Sequence, residues 1–338
     1  HKRFVISFES MPIEQAENWP DLLKIVKERV RPERELGKSS TAAGNHRKRY
    51  WWQFSEPRPE LYAAIAPLQR CLVTSQVSKH LVFAFQPVNR TFSHKLYAFP
   101  LNSYTAFSVL QSRIHASWAW LLSSTLSGSL NYSASDCFDT FPFPTPDPRE
   151  LVVTLESVGK AFYETRARFM LETAQGLTKT YNALKAHDEA DPVVTGLRRL
   201  TEAMDRAVLD AYGWTDIPVP PYCPRTDAER AAVQAFEDEV IDRLYVLNAE
   251  RAAEEERLGL TKGKGKKGKQ LKKPAKALVG DTPSEPANGD PAAQQAAKKA
   301  AKKAAKAAAE LPAKKTTAKK TAKKGPRAHA DLFPKDPK

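Results

Sequence analysis

The spacing of apolar positions changes several times along this chain, and each change predicts an element. Residues Lys2–Phe8 alternate, with Phe4, Ile6 and Phe8 on one face and Val5 and Ser7 on the other, which predicts a strand. Pro12 to Ala16 starts a helix. Trp19-Pro20-Asp21 starts another, striped by Leu22, Leu23, Ile25, Val26 and Val30 and ended by Arg31-Pro32-Glu33-Arg34. Leu36 to Arg49 reads as a polar loop, and Pro59 to Ala66 as a short helix. Cys71–Gln76, Leu81–Gln86, Leu96–Phe99 and Thr105–Leu110 read as strands separated by polar turns. A turn at Gln111–Ser112 leads to an amphipathic segment with Trp118 and Trp120, then a Ser/Gly-rich loop. Phe141-Pro142-Phe143-Pro144 must be extended, because each proline removes a donor and straightens its predecessor. Its two rings are expected to wedge into a core.

After Pro144 the period becomes helical. Asp147-Pro148-Arg149-Glu150 has the order of cap, first-turn proline and acidic residue, followed by Leu151, Leu155, Val158, Phe162 and Phe169. Asp191-Pro192 caps the next helix, which stops at Tyr212-Gly213-Trp214. A capping box, Thr226-Asp227-Ala228-Glu229, opens a last helix that runs into Arg251–Arg257. From Thr261 the chain is Lys, Ala, Pro, Gly and Thr with almost no large apolar residue, too little to bury a core, although Ala296–Leu311 has high helix propensity. The prediction is therefore an α+β chain. A β-rich module occupies 1–145, a small helical domain 146–260 and a disordered Lys/Ala-rich tail 261–338.

Charge follows these divisions. The net +14 of the 338 residues hides a tail with 22 Lys+Arg against 6 Asp+Glu, which leaves 31 basic and 33 acidic residues in the body. Within the body, no carboxylate occurs between Glu60 and Asp136, while Arg70, Lys79, Arg90, Lys95 and Arg113 lie there with His80, His94 and His115. A surface free of carboxylates is what a polyanion needs for close approach. The three cysteines, Cys71, Cys137 and Cys223, are far apart with no CxxC, so the expected setting is reducing and no metal site is expected. Apolar runs are too short to span a bilayer. The chain opens at His1 directly into an apolar alternation, as a piece of a larger protein would.

Candidate chemistry is thus nucleic-acid contact. The turns Ser78-Lys79-His80, Asn89-Arg90-Thr91 and Ser93-His94-Lys95 carry side chains able to reach base edges or phosphates, and Arg113 adds a further cation. His46-Arg47-Lys48-Arg49 fits phosphate contact and a solvated loop equally well. The adjoining Trp51 and Trp52 fit a core better than a base-stacking platform.

Several motifs carry a family likeness. Val30-Arg31-Pro32-Glu33-Arg34 precedes Tyr50-Trp51-Trp52. Leu110-Gln111-Ser112 is followed by His115 and Trp118, by Tyr132, and by Cys137-Phe138-Asp139-Thr140-Phe141-Pro142-Phe143-Pro144. Gly176-Leu177-Thr178-Lys179-Thr180-Tyr181-Asn182 and Ala211-Tyr212-Gly213-Trp214 follow. This series resembles the recognition and C-terminal regions of large adenine-specific DNA methyltransferases, above all the type IIL (MmeI-like) restriction–modification enzymes. The resemblance implies double-stranded DNA as partner, an upstream methyltransferase domain or subunit that uses S-adenosylmethionine, and a bacterial, cytoplasmic, nucleoid-associated setting without membrane.

Such an enzyme also needs a glycine-containing cofactor loop and an Asn/Asp-Pro-Pro-Tyr/Phe loop that grips a flipped adenine. Neither motif occurs here. Val219-Pro220-Pro221-Tyr222 lacks the Asn or Asp and reads as a linker turn. The expectation is a chain with no catalytic and no cofactor-binding residues of its own, inactive alone. Two alternatives stand beside it: a non-enzymatic, nucleoid-associated DNA-binding protein relying on its tail, and a component of a phage-defence complex.

Overall fold

The computed structural model describes residues 4–37, 41–126, 128–145 and 147–260. The expected disordered tail and the Ala296–Leu311 helix lie outside the described residues.

Residues 4–8 form no strand: Phe4 is 94% exposed and no neighbouring strand pairs with the segment, so its alternation has no ladder to join. Helices α1 (Ile13–Ala16) and α2 (Pro20–Arg29) are as expected. The Pro32 segment breaks α2 but then begins a helix of its own, α3 (Arg31–Leu36), with proline in its first turn, where a missing N–H costs little. The expected polar loop contains a helix too, α4 (Ala42–Arg49), capped by Thr41, whose Oγ1 accepts from Gly44 N at 3.1 Å. A small apolar cluster of Phe8, Ala16 and Val26 is joined by Trp51 and Trp52. Trp52 Nε1 and Gln53 Nε2 both donate to Met11 O at 2.8 Å, so the tryptophans brace this cluster.

After α5 (Pro59–Ile65) come β1 (Arg70–Ser75), β2 (Val77–Ser78), β3 (Phe83–Pro87) and β4 (Leu96–Phe99). Strand β1 lies between β3 and β4 and is antiparallel to both, with Leu72 opposite Phe85 on one side and Phe99 on the other. Because β3 and β4 therefore run parallel, residues 88–95 must cross the sheet. They do so over the face of Cys71, Val73 and Ala98, where Val88 and Phe92 pack with α5.

The expected strand at Thr105–Leu110 is a helix, α6 (Tyr104–Gln111), capped by Ser103, whose Oγ accepts from Ala106 N at 3.1 Å. Every residue from Thr105 to Gln111 is buried, so the run has neither alternation nor a polar stripe to reveal its period. Then follow α7 (Arg113–Leu122), β5 (Ser124–Leu126), β6 (Ser129–Asn131) and a π-helical turn, Ala134–Phe138. Strands β2, β6 and β5 make a second antiparallel sheet. The class is α+β as expected, but with short strands and more helix than a β-rich module would have.

Beyond this, α8 (Val153–Glu172) starts later than predicted, because Asp147 turns its carboxylate onto Arg149 N at 2.9 Å instead of capping a helix. Helix α9 (Leu177–Lys185) precedes α10 (Pro192–Ala211), capped as expected by Asp191, whose Oδ1 accepts from Val193 N at 2.7 Å. Gly213, at φ +76°, supplies the left-handed stop after α10. The capping box of α11 (Asp227–Arg257) is reciprocal, Thr226 with Glu229.

One core contains Leu72, Phe107, Trp118, Phe143, Leu155, Leu197 and Leu244, and so crosses the expected division at 145/146 without a break. Gly159 lets α8 lie directly on α6. A Cβ there would stand 2.6 Å from Tyr104 O and closer still to Ser108 Oγ.

Candidate nucleic-acid interface

The motif residues singled out in the sequence meet in the core beneath the sheets. His115 is fully buried on α7. Its Nδ1–H donates to Leu110 O at 3.0 Å, and Tyr132 Oη donates to its Nε2 at 3.3 Å. Burial pushes the imidazole down to about 4, so it is a neutral donor–acceptor bridge. Phe141 meets the His115 ring edge-on at 4.7 Å, and Trp118 Nε1 donates to Thr140 Oγ1 at 3.2 Å. Phe141 and Phe143 are buried, as the extended strip predicts, and Tyr212 Oη donates to Pro142 O at 2.8 Å. The knot fixes α7 and the π-helical turn, and with them both sides of the second sheet.

From this base the polar turns project. Lys79, Arg90, His94 and Lys95 are all exposed. Gln76 N donates to Lys95 O at 2.8 Å, which ties the Ser93–Lys95 turn to the chain leading from β1 into β2 and Lys79. Arg90 lies on the crossover and reaches back to Gln86 Oε1 at 2.6 Å. Since Gln86 pairs with Cys71 near the start of β1, Arg90 is near the opposite end of the sheet from Lys95. Arg70 is at that end also, its guanidinium 3.7 Å over the Phe85 ring and its Nε donating to Asn102 O at 3.0 Å. Arg47 and Arg49 are exposed and Lys48 half-buried on α4, a separate basic surface. Arg34 anchors its end by donating to Tyr50 O at 3.1 Å and Gln53 O at 2.6 Å. Burial, and then the charge of Arg47, lowers the pKa of Arg34.

The whole of this module, residues 1–145, matches the family model described as MmeI, target recognition domain. Over these residues the chain is similar to a target recognition domain of the MmeI kind. A solved structure, titled as that of the type IIL restriction–modification enzyme MmeI in complex with DNA, is similar at 20% identity and a TM-score of 0.44. The match covers 73% of this chain and 28% of that one, so the chain spans little more than a quarter of that enzyme. No curated protein matches the sequence.

Two of the cations expected at the surface of this module are turned inward. His80 is buried, its Nε2 2.9 Å from Asn182 Oδ1 and its ring stacked on Tyr181, and burial lowers its pKa. Arg113 donates from Nε to Asp205 Oδ2 at 2.6 Å and from Nη2 to Pro220 O at 2.7 Å, while its backbone N donates to Asp205 Oδ1 at 2.8 Å. Both are consumed in joining residues 1–145 to the helices that follow, so neither presents its charge as an open surface cation. The same contacts explain the Pro220-Pro221 turn: the Pro221 carbonyl also accepts from Arg113, at 3.3 Å, so these carbonyls brace an arginine and do not fit the grip on a flipped base. Asn182 and Asp205 were not among the predicted residues, since their partners are 102 and 92 residues away. Among the described residues, no group of three or more His, Cys, Asp or Glu is placed to hold a metal ion. Nor is any helix among them long and apolar enough to cross a membrane.

Proposed function

We propose that this chain is the DNA target-recognition and C-terminal portion of a site-specific, adenine-specific DNA methyltransferase of the type IIL kind. The match of residues 1–145 to the MmeI target recognition domain carries this reading. The electrostatics support it: the exposed turns with Lys79, Arg90, His94 and Lys95 come from the stretch without carboxylates. Such side chains can approach duplex DNA without repelling its phosphates and donate to base edges in the major groove. In this reading residues 146–260 brace the recognition surface, and 261–338 add affinity independent of sequence. S-adenosylmethionine supplies the methyl group to a methyltransferase domain or subunit upstream, in a bacterial cytoplasm. This chain alone transfers no methyl group.

The test is selection of bound duplexes from a random-sequence pool, with label transfer from tritiated S-adenosylmethionine measured in parallel. A recovered site without label is the expected result. Recovery of unenriched DNA would instead favour a nucleoid-associated protein bound through its tail, the reading to which the tail's +16 lends weight. Label above background would overturn the inactive-fragment part of the proposal.

A further inference from the structure

The Tyr212-Gly213-Trp214 motif that stops α10 also builds one wall of a groove. The two rings stack at 4.3 Å with their planes 12° apart, and with Val246 and Leu247 of α11 they line an open trough of about 320 Å³. Its walls are held in place. Arg206 donates to Trp214 O at 2.8 Å and to Ile217 O at 2.7 Å, and Tyr212 Oη donates to Pro142 O. Arg243, 5.8 Å from the Trp214 ring, pairs with Asp216 and Glu239. Val246 is nevertheless 55% exposed, so the trough is formed and uncovered among the described residues. Asp242 and Glu250 stand at its edge, both exposed and neither in an ion pair among the described residues. With Asp216 and Glu239 they make four carboxylates against the guanidiniums of Arg243 and the adjoining Arg251, an excess of two negative charges.

An apolar trough with an acidic edge suits a segment that carries large apolar side chains among lysines. Residues 261–338 contain one, Leu271-Lys272-Lys273-Pro274-Ala275-Lys276-Ala277-Leu278-Val279. The other large apolar residues there are Leu311, Leu332 and Phe333, and the last two sit between Asp331 and Asp336. Reach is ample. Val246 is about 18 Å along α11 from Leu258 at 1.5 Å per residue, whereas the chain from Leu260 to Leu271 spans up to about 36 Å when extended. A tether of that length holds the segment at an effective concentration on the order of millimolar, so a modest groove suffices to bind it. We propose that residues 271–279 dock on their own chain, in the groove between the Tyr212–Trp214 turn and α11. Leu271, Leu278 and Val279 meet the apolar walls, and Lys272, Lys273 and Lys276 face Asp242 and Glu250. The lysine-rich tail is thus anchored near its start, whatever its later lysines bind.

Photocrosslinking in the full chain tests this. Benzoylphenylalanine is placed at position 246, in the groove, or at position 252. Ala252 is exposed, nearer the tail and on another side of α11, so a tail that merely diffuses would meet it at least as often. Mass spectrometry should place the crosslink from 246 within residues 271–279 of the same chain, at about threefold or more the yield from 252. The triple variant Leu271→Ser/Leu278→Ser/Val279→Ser should abolish that crosslink and leave the thermal midpoint of the folded body unchanged. Equal yields from the two positions, or no capture of 271–279 at 246, would overturn the proposal. Capture only between two chains would overturn it too, by making a second copy the occupant.

Discussion

Arg113 and Asp205 make a buried ion pair, with Nε 2.6 Å from Oδ2, that joins the recognition domain to α10. Asp205 is fully buried and Arg113 nearly so, and the arginine's remaining donors go to the carbonyls of Pro220 and Pro221. Removing one partner leaves an uncompensated charge in a largely buried place. Asp205→Ala should therefore cost about 3–5 kcal/mol of stability in chemical denaturation. The double variant Arg113→Met/Asp205→Leu should recover much of that loss. If both variants lose the same amount, the pair is not the main linkage.

Gly159→Ala should destabilise by about 1–3 kcal/mol, because the added methyl meets the Tyr104 carbonyl and forces α8 away from α6. Gly196 on α10 is a control, since a Cβ there meets nothing within 4 Å, and alanine at 196 should be neutral or stabilising. Equal thermal midpoints for the two variants would contradict this packing.

Acid should unfold the protein partly through His115. Its folded pKa is depressed to about 4 against an ordinary 6.5, so the unfolded chain binds the proton first as pH falls. The neutral core gives its full stability above about pH 6.5, loses it between about 6.5 and 4, and loses no more from this group below that. The span is about 3 kcal/mol. His115→Gln should flatten that part of the curve of stability against pH, and an unchanged slope would assign the acid sensitivity elsewhere.

If the proposed function holds, single replacement of Arg90, Lys95 or Lys79 by alanine in the complete enzyme should separate base readers from phosphate contacts. A base reader should cost about 1–3 kcal/mol and relax preference at one position, whereas a phosphate contact weakens all sites alike. Sequencing of modified sites gives the answer. Parental selectivity and affinity in all three variants would move recognition to the Arg47–Arg49 surface.

Deleting residues 261–338 should weaken binding to every duplex and reduce the salt slope by about 0.9 for each phosphate the tail neutralises. An unchanged slope would mean the tail makes no such contact.

What could be read from the sequence divides by range. Helices α10 and α11 were visible because Asp191 and the Thr226–Glu229 box act within three residues of themselves. Strand β4 was visible because its apolar and aromatic run, Leu96 to Phe99, is bounded by the polar Ser93–Lys95 turn and by Pro100. Helix α6 was not, since burial on all sides erases its period, and α4 was not, since it has almost no apolar face. The charges of Arg90 and Lys95 could be placed outside because nothing distant claims them. Those of His80 and Arg113 could not, because Asn182 and Asp205 decide their direction from a hundred residues away.

The seam at residue 145 has a consequence for anyone exchanging the 1–145 module between related proteins. A graft cut there would carry Arg113 away from Asp205, Thr105 N away from the Glu156 carboxylate it reaches at 2.6 Å, and α6 away from the glycine that receives it. The donor's half-core would then face a foreign mate. A cassette extending to the end of α11 takes both faces of the seam with it, so the transferable unit is longer than the 1–145 module itself.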